Sequence, residues 1–191
     1  MIELKIYKTH PDVVIPQFAT DEAACFDVAA NMLGKARYQG YNQTNGKFDR
    51  PIGGDGSILI AAGDRVMVPT GMILDIPKGY SVRLHPRSGL SLKQGLVLAN
   101  CEAVIDSDYF DELFILIHNS SENNIKINHM ERLAQAELVE QLKYKIVETT
   151  VKPEQRTNRV GGLGSTGVKT VQAAIEEPVK RGRGRPKKSA A

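Results

Sequence analysis

The sequence predicts an all-β domain, a sandwich or a barrel, and three observations support that prediction. Short apolar runs recur along the chain, turn residues such as those at 62–64 and 77–79 separate them, and only one segment suits a helix. Many short strands at this spacing are typical of antiparallel sandwiches and barrels. The strand candidates, in chain order, are Leu4–Ile6, Arg65–Val68, Met72–Ile76, Tyr80–Leu84, Gly95–Leu98, Leu113–Ile117 and Tyr144–Val147.

The single helix is predicted over Leu90–Gln94, with Ser88 as its N-cap and Gly95 as its end. An Arg-Ser-Gly turn precedes it, and a predicted hairpin that ends in residues 106–109 (DSDY) follows it. A helix start offers unpaired N–H groups to a phosphate, and a carboxylate can orient and deprotonate a water. An anion seat followed by such a carboxylate suggests hydrolysis of a phosphoanhydride.

Length and composition indicate a single domain with tails. The chain has 191 residues, of which 41% are hydrophobic, and no apolar run approaches the ~18 residues of a membrane helix. The charged start MIELKIYKTH is typical of a first strand rather than a signal peptide, so we expect a cytoplasmic protein without membrane contact. The two cysteines, Cys25 and Cys101, lack CxxC spacing and are interpreted as free thiols rather than a disulfide or metal site.

Three segments interrupt the strand pattern of the predicted core, residues 1–150. Residues 31–57 are polar and glycine-rich without a sustained period, which predicts a long surface insertion. Residues 151–168 lack strand alternation and predict a flexible, glycine-rich C-terminal arm. Residues 169–191 hold seven Lys/Arg against two Glu, a net +5, while residues 1–168 hold 18 basic and 20 acidic side chains, a net −2. We interpret 169–191 as a basic, disordered tail.

Several local motifs have less specific interpretations. The GxGxxG at 162–167 is not a dinucleotide fingerprint, because only 24 residues follow it and no βαβ unit fits there; a loop that closes over a polyphosphate and a plain linker both stay open. The Asp-Ser-Asp at 106–108 lacks the glycine of a calcium loop, and the four histidines lack metal-ligand spacing. The RGRGRPKK at 181–188 resembles an AT-hook, which predicts weak, salt-sensitive DNA binding; a merely solubilising basic tail is the alternative.

Five segments in order resemble the motifs of the trimeric dUTP diphosphatases (dUTPases). They are 24–28 (ACFDV) followed by 68–71 (VPTG), 86–90 (PRSGL), 100–109 (NCEAVIDSDY), 131–135 (ERLAQ) and 161–167 (GGLGSTG). The resemblance covers roughly residues 1–168. It implies a jelly-roll β fold, a homotrimer with sites at subunit interfaces, and Mg²⁺-dependent hydrolysis of dUTP to dUMP and pyrophosphate. That reaction limits uracil incorporation into DNA and supplies dUMP.

The resemblance also assigns roles to individual residues. Asp106 holds the attacking water and contacts the 3′-hydroxyl, while Tyr109 packs under the deoxyribose and excludes a 2′-hydroxyl. Asp27 supports the metal ion through a water molecule, because the Mg²⁺ is held mainly by the phosphates of the substrate. The other substrate-binding positions are Arg87, Ser88 and Gly89 for the phosphates, Asn100, Val104 and Ile105 for the uracil edge, Phe114, Gln135, and Arg159, Leu163 and Gly164 in the arm.

The arm departs from the family pattern at two positions. Leu163 stands where the family usually has Phe, which replaces aromatic stacking over the uracil by aliphatic packing. The arginine expected just before the glycines is out of step, so the terminal-phosphate contact falls to Arg159, with Arg156 as the alternative.

Two other functions compete with the dUTPase interpretation. One is a deaminase or bifunctional relative that acts on dCTP on the same fold. The other is a non-catalytic nucleotide-sensing or DNA-binding regulator that keeps the pocket and uses the basic tail. Pyrophosphate release from dUTP, ammonia release from dCTP, or DNA binding without turnover would separate the three.

Overall fold

A computed structural model describes residues 2–158 and 161, and the described chain is built from β-strands with one short helix. The contacts between Cα atoms divide the chain into two units, Met1–Lys145 and Ile146–Ala191. All helices and strands described lie in the first unit, and the described residues of the second are exposed and without regular structure. The predictions for Arg159, Leu163, Gly164 and the basic tail 169–191 concern residues that lie outside the described ones.

The strands follow the chain in a simple order with one helix among them. They are β1 (Lys5–Lys8), β2 (Phe26–Ala29), β3 (Arg37–Tyr41), β4 (Lys47–Pro51), β5 (Ile58–Ile60), β6 (Arg65–Pro69), β7 (Met72–Asp75), β8 (Tyr80–Pro86), α1 (Ser88–Gln94), β9 (Leu96–Leu98), β10 (Ala103–Asp106), β11 (Phe114–Asn119), β12 (Ile125–Ile127) and β13 (Arg132–Glu140).

The strands form two main antiparallel sheets and two small ones. The first main sheet has the order β10-β8-β13-β2 and the second β4-β3-β6-β11-β9, while β1-β7 and β12-β5 form separate pairs. The prediction of an all-β fold is confirmed. Within the first sheet, the long strand β8 lies between β10 and β13. Many of the predicted site residues lie on the strands of this sheet or directly after β8.

One hydrophobic core holds the sheets together. On β11 the side chains alternate, with Ile115 and Ile117 buried and Leu116 exposed between them. Val82 and Leu84 of β8 are fully buried in the same cluster. Each side chain of this size contributes roughly 1.5–3 kcal/mol to the free energy of folding when it is buried. Because a shift by one residue would expose these side chains, the period-2 pattern fixes which face of each strand packs against the core.

Helix α1 confirms the predicted position of the helix and corrects its start. It begins at Ser88 with Arg87 at the N-cap position and without a side-chain cap hydrogen bond, so the prediction that Ser88 caps a helix beginning at Leu90 is wrong. The helix ends as predicted at Gly95, which takes the left-handed conformation at φ 70°. Leu90 is the residue that it buries.

Two other local predictions are wrong, and the predicted insertion contains regular structure. Residues 31–57, predicted to be a long surface insertion, contain the β3–β4 hairpin, which joins the second main sheet. Residues 144–147 were expected to form a strand, but they are exposed and unpaired within the described chain. The hairpin expected before Asp106 does not exist, because β9 pairs with β11 whereas β10 pairs with β8.

Candidate functional site

The first group of predicted site residues lines a pocket beside β10, which we call the β10 pocket. It has a volume of about 270 Å³, and the predicted residues on its walls are Asn100, Val104, Ile105, Asp106, Tyr109 and Phe114. Strand β10 is the edge of its sheet, so one side of its backbone offers N–H and C=O groups that do not pair with β8. A planar ring with its own donors and acceptors can bind along such an edge.

Asp106 ends β10 at the rim of this pocket. Its backbone pairs in register with Ser81 at the start of β8, and its carbonyl accepts the Tyr109 N–H at 3.2 Å. The carboxylate is exposed, and no donor among the described residues bonds to it. A free carboxylate at the rim of a pocket can hold and deprotonate a water.

Tyr109 lies in the turn that follows Asp106 and is 38% exposed. Its hydroxyl donates a hydrogen bond to the Glu112 carbonyl at 3.0 Å. Burial, and then the charges of Asp111 and Glu112, raise the pKa of the phenol above its ordinary value. The hydroxyl therefore keeps its proton at neutral pH and remains a donor.

The second group of predicted residues lines a separate pocket at the start of α1, which we call the α1 pocket. It has a volume of about 360 Å³, and its walls include Asp27, Arg87, Ser88, Gly89, Lys93 and Gln135. The N–H groups of Leu90 and Ser91 donate to the Arg87 carbonyl. The N–H groups of Ser88 and Gly89, at the first two helical positions, have no acceptor within the helix.

Asp27 stands between two arginines at the wall of the α1 pocket. Its Oδ1 atom lies 3.0 Å from Arg87 Nε, and its Oδ2 atom lies 2.8 Å from a guanidinium nitrogen of Arg132. The Arg87 guanidinium also donates to the Arg132 carbonyl at 2.9 Å. Lys93 lies in the same wall as Arg87 and Asp27, and Arg132 is bound to Asp27 beside it, so three cations and one carboxylate lie in this region, and the excess of positive charge favours an anionic ligand.

Arg132 is the site residue that the sequence analysis missed. Gln135 is three positions later, and strict alternation along β13 would place the two side chains on opposite faces. A bulge between Arg132 and Ala134 adds one residue to the strand and brings both side chains to the same side. Alternation alone contains no signal for that bulge, so the sequence pattern could not reveal it.

The two pockets lie at opposite ends of strand β8. Asp106 pairs with Ser81 at the first end, whereas Arg87 directly follows Pro86 at the other. Six residues of extended chain span about 20 Å. A carboxylate must lie within hydrogen-bond reach of the water that it activates, so Asp106 and Arg87 of one chain cannot serve the same phosphorus atom.

The side chains of the α1 pocket fit a magnesium ion whose main ligands are the phosphates of a bound nucleotide. The described residues contain no cluster of three or more His, Cys, Asp or Glu that could chelate a metal. The α1 pocket instead offers one carboxylate, Asp27, and one amide, Gln135, whose Nε2 donates to the Pro86 carbonyl at 3.3 Å and whose oxygen stays available. Magnesium in nucleotide sites commonly keeps its waters and takes one or two carboxylates plus phosphates.

Arg156, the alternative to Arg159, is exposed in the second unit. No helix in the described part of the chain is long and apolar enough to cross a membrane.

Comparison with known proteins gives a consistent result. The family model described as dUTPase matches residues 56–167. The deoxyuridine 5′-triphosphate nucleotidohydrolase of Caulobacter vibrioides is 33% identical over 168 residues, which cover 87% of this chain and 94% of the relative. The enzyme of the same name from Brucella melitensis is 41% identical over 113 residues, or 59% of this chain and 71% of the relative.

Solved structures support the fold. The dUTPase of Staphylococcus bacteriophage 80alpha, solved with dUPNHPP, superposes with a TM-score of 0.67 at 18% identity and covers 88% of this chain and 100% of that one. The dUTPase of Streptococcus mutans gives a TM-score of 0.58 at 23% identity over 74% of this chain and 98% of that one. These matches confirm the expected all-β jelly-roll fold. Together with the extent of the sequence matches, they establish that the chain belongs to the dUTPase family.

Proposed function

We propose that this protein hydrolyses dUTP to dUMP and pyrophosphate, with Asp106 as the base that activates the water. The observation that carries the proposal is an exposed, unpaired carboxylate at the rim of a pocket with an open strand edge. Family membership points to the same reaction. It does not favour the alternative of a nucleotide sensor or a DNA-binding regulator.

The reaction is a displacement at the innermost phosphorus of the substrate. The water oxygen forms a bond to that phosphorus, its proton passes to the Asp106 carboxylate, and the bond to the bridging oxygen breaks. The electron pair of that bond leaves on pyrophosphate. The carboxylate needs only to position and deprotonate the water, a role that contributes typically ~10²–10⁴-fold to the rate.

The β10 pocket recognises the nucleoside in this proposal. The backbone of Val104 and Ile105 along the free edge of β10 pairs with the uracil, and Asn100 contacts the same base. Tyr109 packs under the sugar, and Phe114 completes the wall. A base with the wrong edge leaves buried donors or acceptors unpaired, which costs about 1–3 kcal/mol for each group.

The α1 pocket binds the phosphates. Arg87 and the N–H groups of Ser88 and Gly89 contact phosphate oxygens, and Lys93 adds positive charge nearby. Magnesium held by the phosphates neutralises charge on the triphosphate when it is bound. Asp27 and Gln135 would accept hydrogen bonds from the water shell of that ion, and Arg159, Leu163 and Gly164 of the arm stay predicted contacts of the nucleotide.

The active assembly is a homotrimer, and each site combines the β10 pocket of one chain with the α1 pocket of its neighbour. The separation of about 20 Å along β8 supports this arrangement. We retain a cytoplasmic location and weak DNA binding through residues 181–188 as proposals.

The test compares Asp106→Asn with Asp111→Asn, which removes the same charge from an exposed position of the same turn. We expect Asp106→Asn to lose about 10²–10⁴-fold in kcat, because a neutral amide cannot accept the proton of the water. Its binding of the imido analogue dUPNHPP should stay near that of the unmodified protein. Pyrophosphate release is measured with dUTP, dCTP, dTTP and UTP, and only dUTP should be turned over efficiently.

The outcomes separate the competing functions. If Asp106→Asn and Asp111→Asn both turn over dUTP at the normal rate, the assignment of Asp106 as the base is contradicted. Release of ammonia from dCTP would indicate the deaminase. If the unmodified protein releases pyrophosphate from none of the four nucleotides, the proposed function itself is contradicted.

A further inference from the structure

Glu112 connects the turn after β10 to another part of the fold. Its side chain is only 11% exposed although it carries a charge. Its Oε1 atom accepts the Gly71 N–H at 2.8 Å, and its Oε2 atom lies 2.5 Å from Lys35 Nζ. A carboxylate this buried needs such partners, because an unpaired charge in the interior is costly.

Further hydrogen bonds join the same two segments. Thr70 Oγ1 donates to the Leu113 carbonyl at 2.6 Å, and the Leu113 N–H donates to the Met72 carbonyl at 2.8 Å. The loop from Asp106 to Leu113 is therefore tied at its far end to the turn between β6 and β7. We call these contacts, together with the two at the Glu112 carboxylate, the 112 anchor.

The 112 anchor reaches Tyr109 through the backbone. The Tyr109 hydroxyl donates to the Glu112 carbonyl at 3.0 Å, while its N–H donates to the Asp106 carbonyl at 3.2 Å. The residues between Tyr109 and Glu112 are exposed, with Phe110 at 68%. The position of the Tyr109 ring thus depends on two points, the end of β10 on one side and Glu112 on the other.

We propose that Glu112, held by Lys35 and the Gly71 N–H, is a positioning residue that fixes Tyr109 and so sets the preference for deoxyribose over ribose. The inference rests on the proposed function, because it concerns the sugar of that substrate. A ring that is displaced by even part of an ångström no longer excludes a 2′-hydroxyl. Glu112 does not touch the nucleotide in this proposal and acts only through Tyr109.

Lys35 is the counter-ion of Glu112 in the 112 anchor. It lies in the segment 31–57, and its N–H donates to the Met32 carbonyl at 3.1 Å, so a turn at residues 32–35 presents its ammonium group to Glu112. The segment predicted from the sequence to be a surface insertion therefore supplies the charge that stabilises the anchor. Without Lys35, Glu112 would keep the Gly71 N–H but lose its counter-ion.

The experiment measures sugar selectivity, which is the ratio of kcat/KM for dUTP to kcat/KM for UTP. For Glu112→Ala we expect a loss of about tenfold in this ratio, since one positioned hydrogen-bonding group is worth about that factor. Glu112→Gln keeps an acceptor for Gly71 and should lose less, and Lys35→Met should lose an intermediate amount. Lys126→Met, which removes the exposed Lys126–Asp55 pair, is the matched control and should leave the ratio unchanged.

A second readout follows the anchor itself. Amide hydrogen exchange at Gly71 should accelerate in Glu112→Ala and stay slow in Glu112→Gln, because only the first substitution removes the acceptor of that N–H. If Glu112→Ala does not fold, Glu112→Gln and Lys35→Met still report on selectivity. A merely structural role would lower kcat/KM for dUTP and UTP equally and leave their ratio fixed.

The outcomes distinguish this inference from the proposed function. Selectivity within about twofold of the unmodified protein in both Glu112→Gln and Lys35→Met would overturn the inference, since a positioned contact is worth more than that. Failure of the unmodified protein to hydrolyse dUTP would instead overturn the proposed function. Reduced selectivity in both variants with an unchanged Lys126→Met supports the inference.

Discussion

At the scale of single residues, Gly71 shows how a backbone position holds a largely buried carboxylate. It takes φ +72° in the turn between β6 and β7, where its N–H binds Glu112. A Cβ atom added there would lie 2.7 Å from Val13 Cγ2 and 3.1 Å from Asn31 Cγ. Only glycine combines this conformation with so close an approach of neighbouring side chains.

We expect Gly71→Ala to destabilise the protein by about 1–3 kcal/mol more than Gly34→Ala. Gly34 has nearly the same conformation, φ +68°, but its added Cβ would meet nothing within 4 Å. Both substitutions carry the strain of a left-handed alanine, and only the first adds overpacking, which typically costs 1–3 kcal/mol. Urea unfolding at one fixed protein concentration measures the difference. Equal losses for the two variants would show that the space around Gly71 does not matter.

Residues with a local motif were predictable from the sequence, whereas residues placed by tertiary geometry were not. Arg87 and Asp106 stand in short ordered motifs, and the structure places each on the wall of a pocket. Arg132 reaches Asp27 only because of the bulge in β13, and Glu112 is buried only because residues about 40 and 77 positions earlier in the chain meet it. No local pattern in the sequence encodes either event.

At the scale of secondary structure, the β3–β4 hairpin shows why a strand signal can be missing. On β3 the inward positions are Tyr38 and Gly40, and glycine contributes no apolar signal. A Cβ atom on Gly40 would lie 2.6 Å from the Phe48 ring, so the glycine makes room for that ring. Tyr38 and Phe48 then contact each other edge to face, with ring centres 6.1 Å apart. The hairpin forms through these contacts rather than through alternation of apolar residues.

We expect Arg50→Ala to destabilise the protein by about 1–3 kcal/mol through the loss of an ion pair at this hairpin. The Arg50 guanidinium lies 3.0 Å from an oxygen of Asp64, whose side chain is 3% exposed, and 3.7 Å from the centre of the Phe48 ring. Removing the arginine leaves a buried carboxylate without its counter-ion, and Arg50 is itself partly exposed, which moderates the loss. Thermal or denaturant unfolding gives the measurement.

A matched substitution on the same hairpin provides the control. Arg37 pairs with Asp49 at 3.1 Å, but both side chains are about half exposed. Exposed pairs contribute only ~0–1 kcal/mol, so Arg37→Ala should have little effect. Adding Asp64→Asn to Arg50→Ala should recover part of the stability because it removes the orphan charge. A loss for Arg37→Ala as large as that for Arg50→Ala would argue against the role of burial.

At the scale of the whole molecule, the fold class followed from the sequence and the arrangement of strands did not. Short apolar runs such as 113–117 predicted β structure correctly, because their alternation reflects one buried face. The sequence placed β9 and β10 in one hairpin, whereas the fold divides them between two sheets. That division puts Asp106 and Arg87 at opposite ends of β8, which supports the proposal that each site combines pockets of two chains.

Co-expression of two inactive variants tests whether neighbouring chains complete each other's sites. Asp106→Asn damages the β10 pocket and leaves the α1 pocket intact, and Arg87→Ala does the reverse. In a ring of three chains, every mixed trimer contains one junction where an intact α1 pocket meets an intact β10 pocket. Random mixing at equal amounts should therefore restore about a quarter of the sites of the unmodified protein, whereas each variant alone should be inactive.

The measurement is pyrophosphate release from dUTP by the co-purified mixture, compared with the two variants purified separately and combined just before the assay. Separately assembled trimers hold only damaged sites, so this second sample should stay inactive until subunits exchange. If the activity of both samples equals only the sum of the two separate variants, the two pockets of a single chain form the complete site and neighbouring chains do not complement each other. The distance of about 20 Å between the ends of β8 argues against that result, because water activation requires contact at hydrogen-bond length.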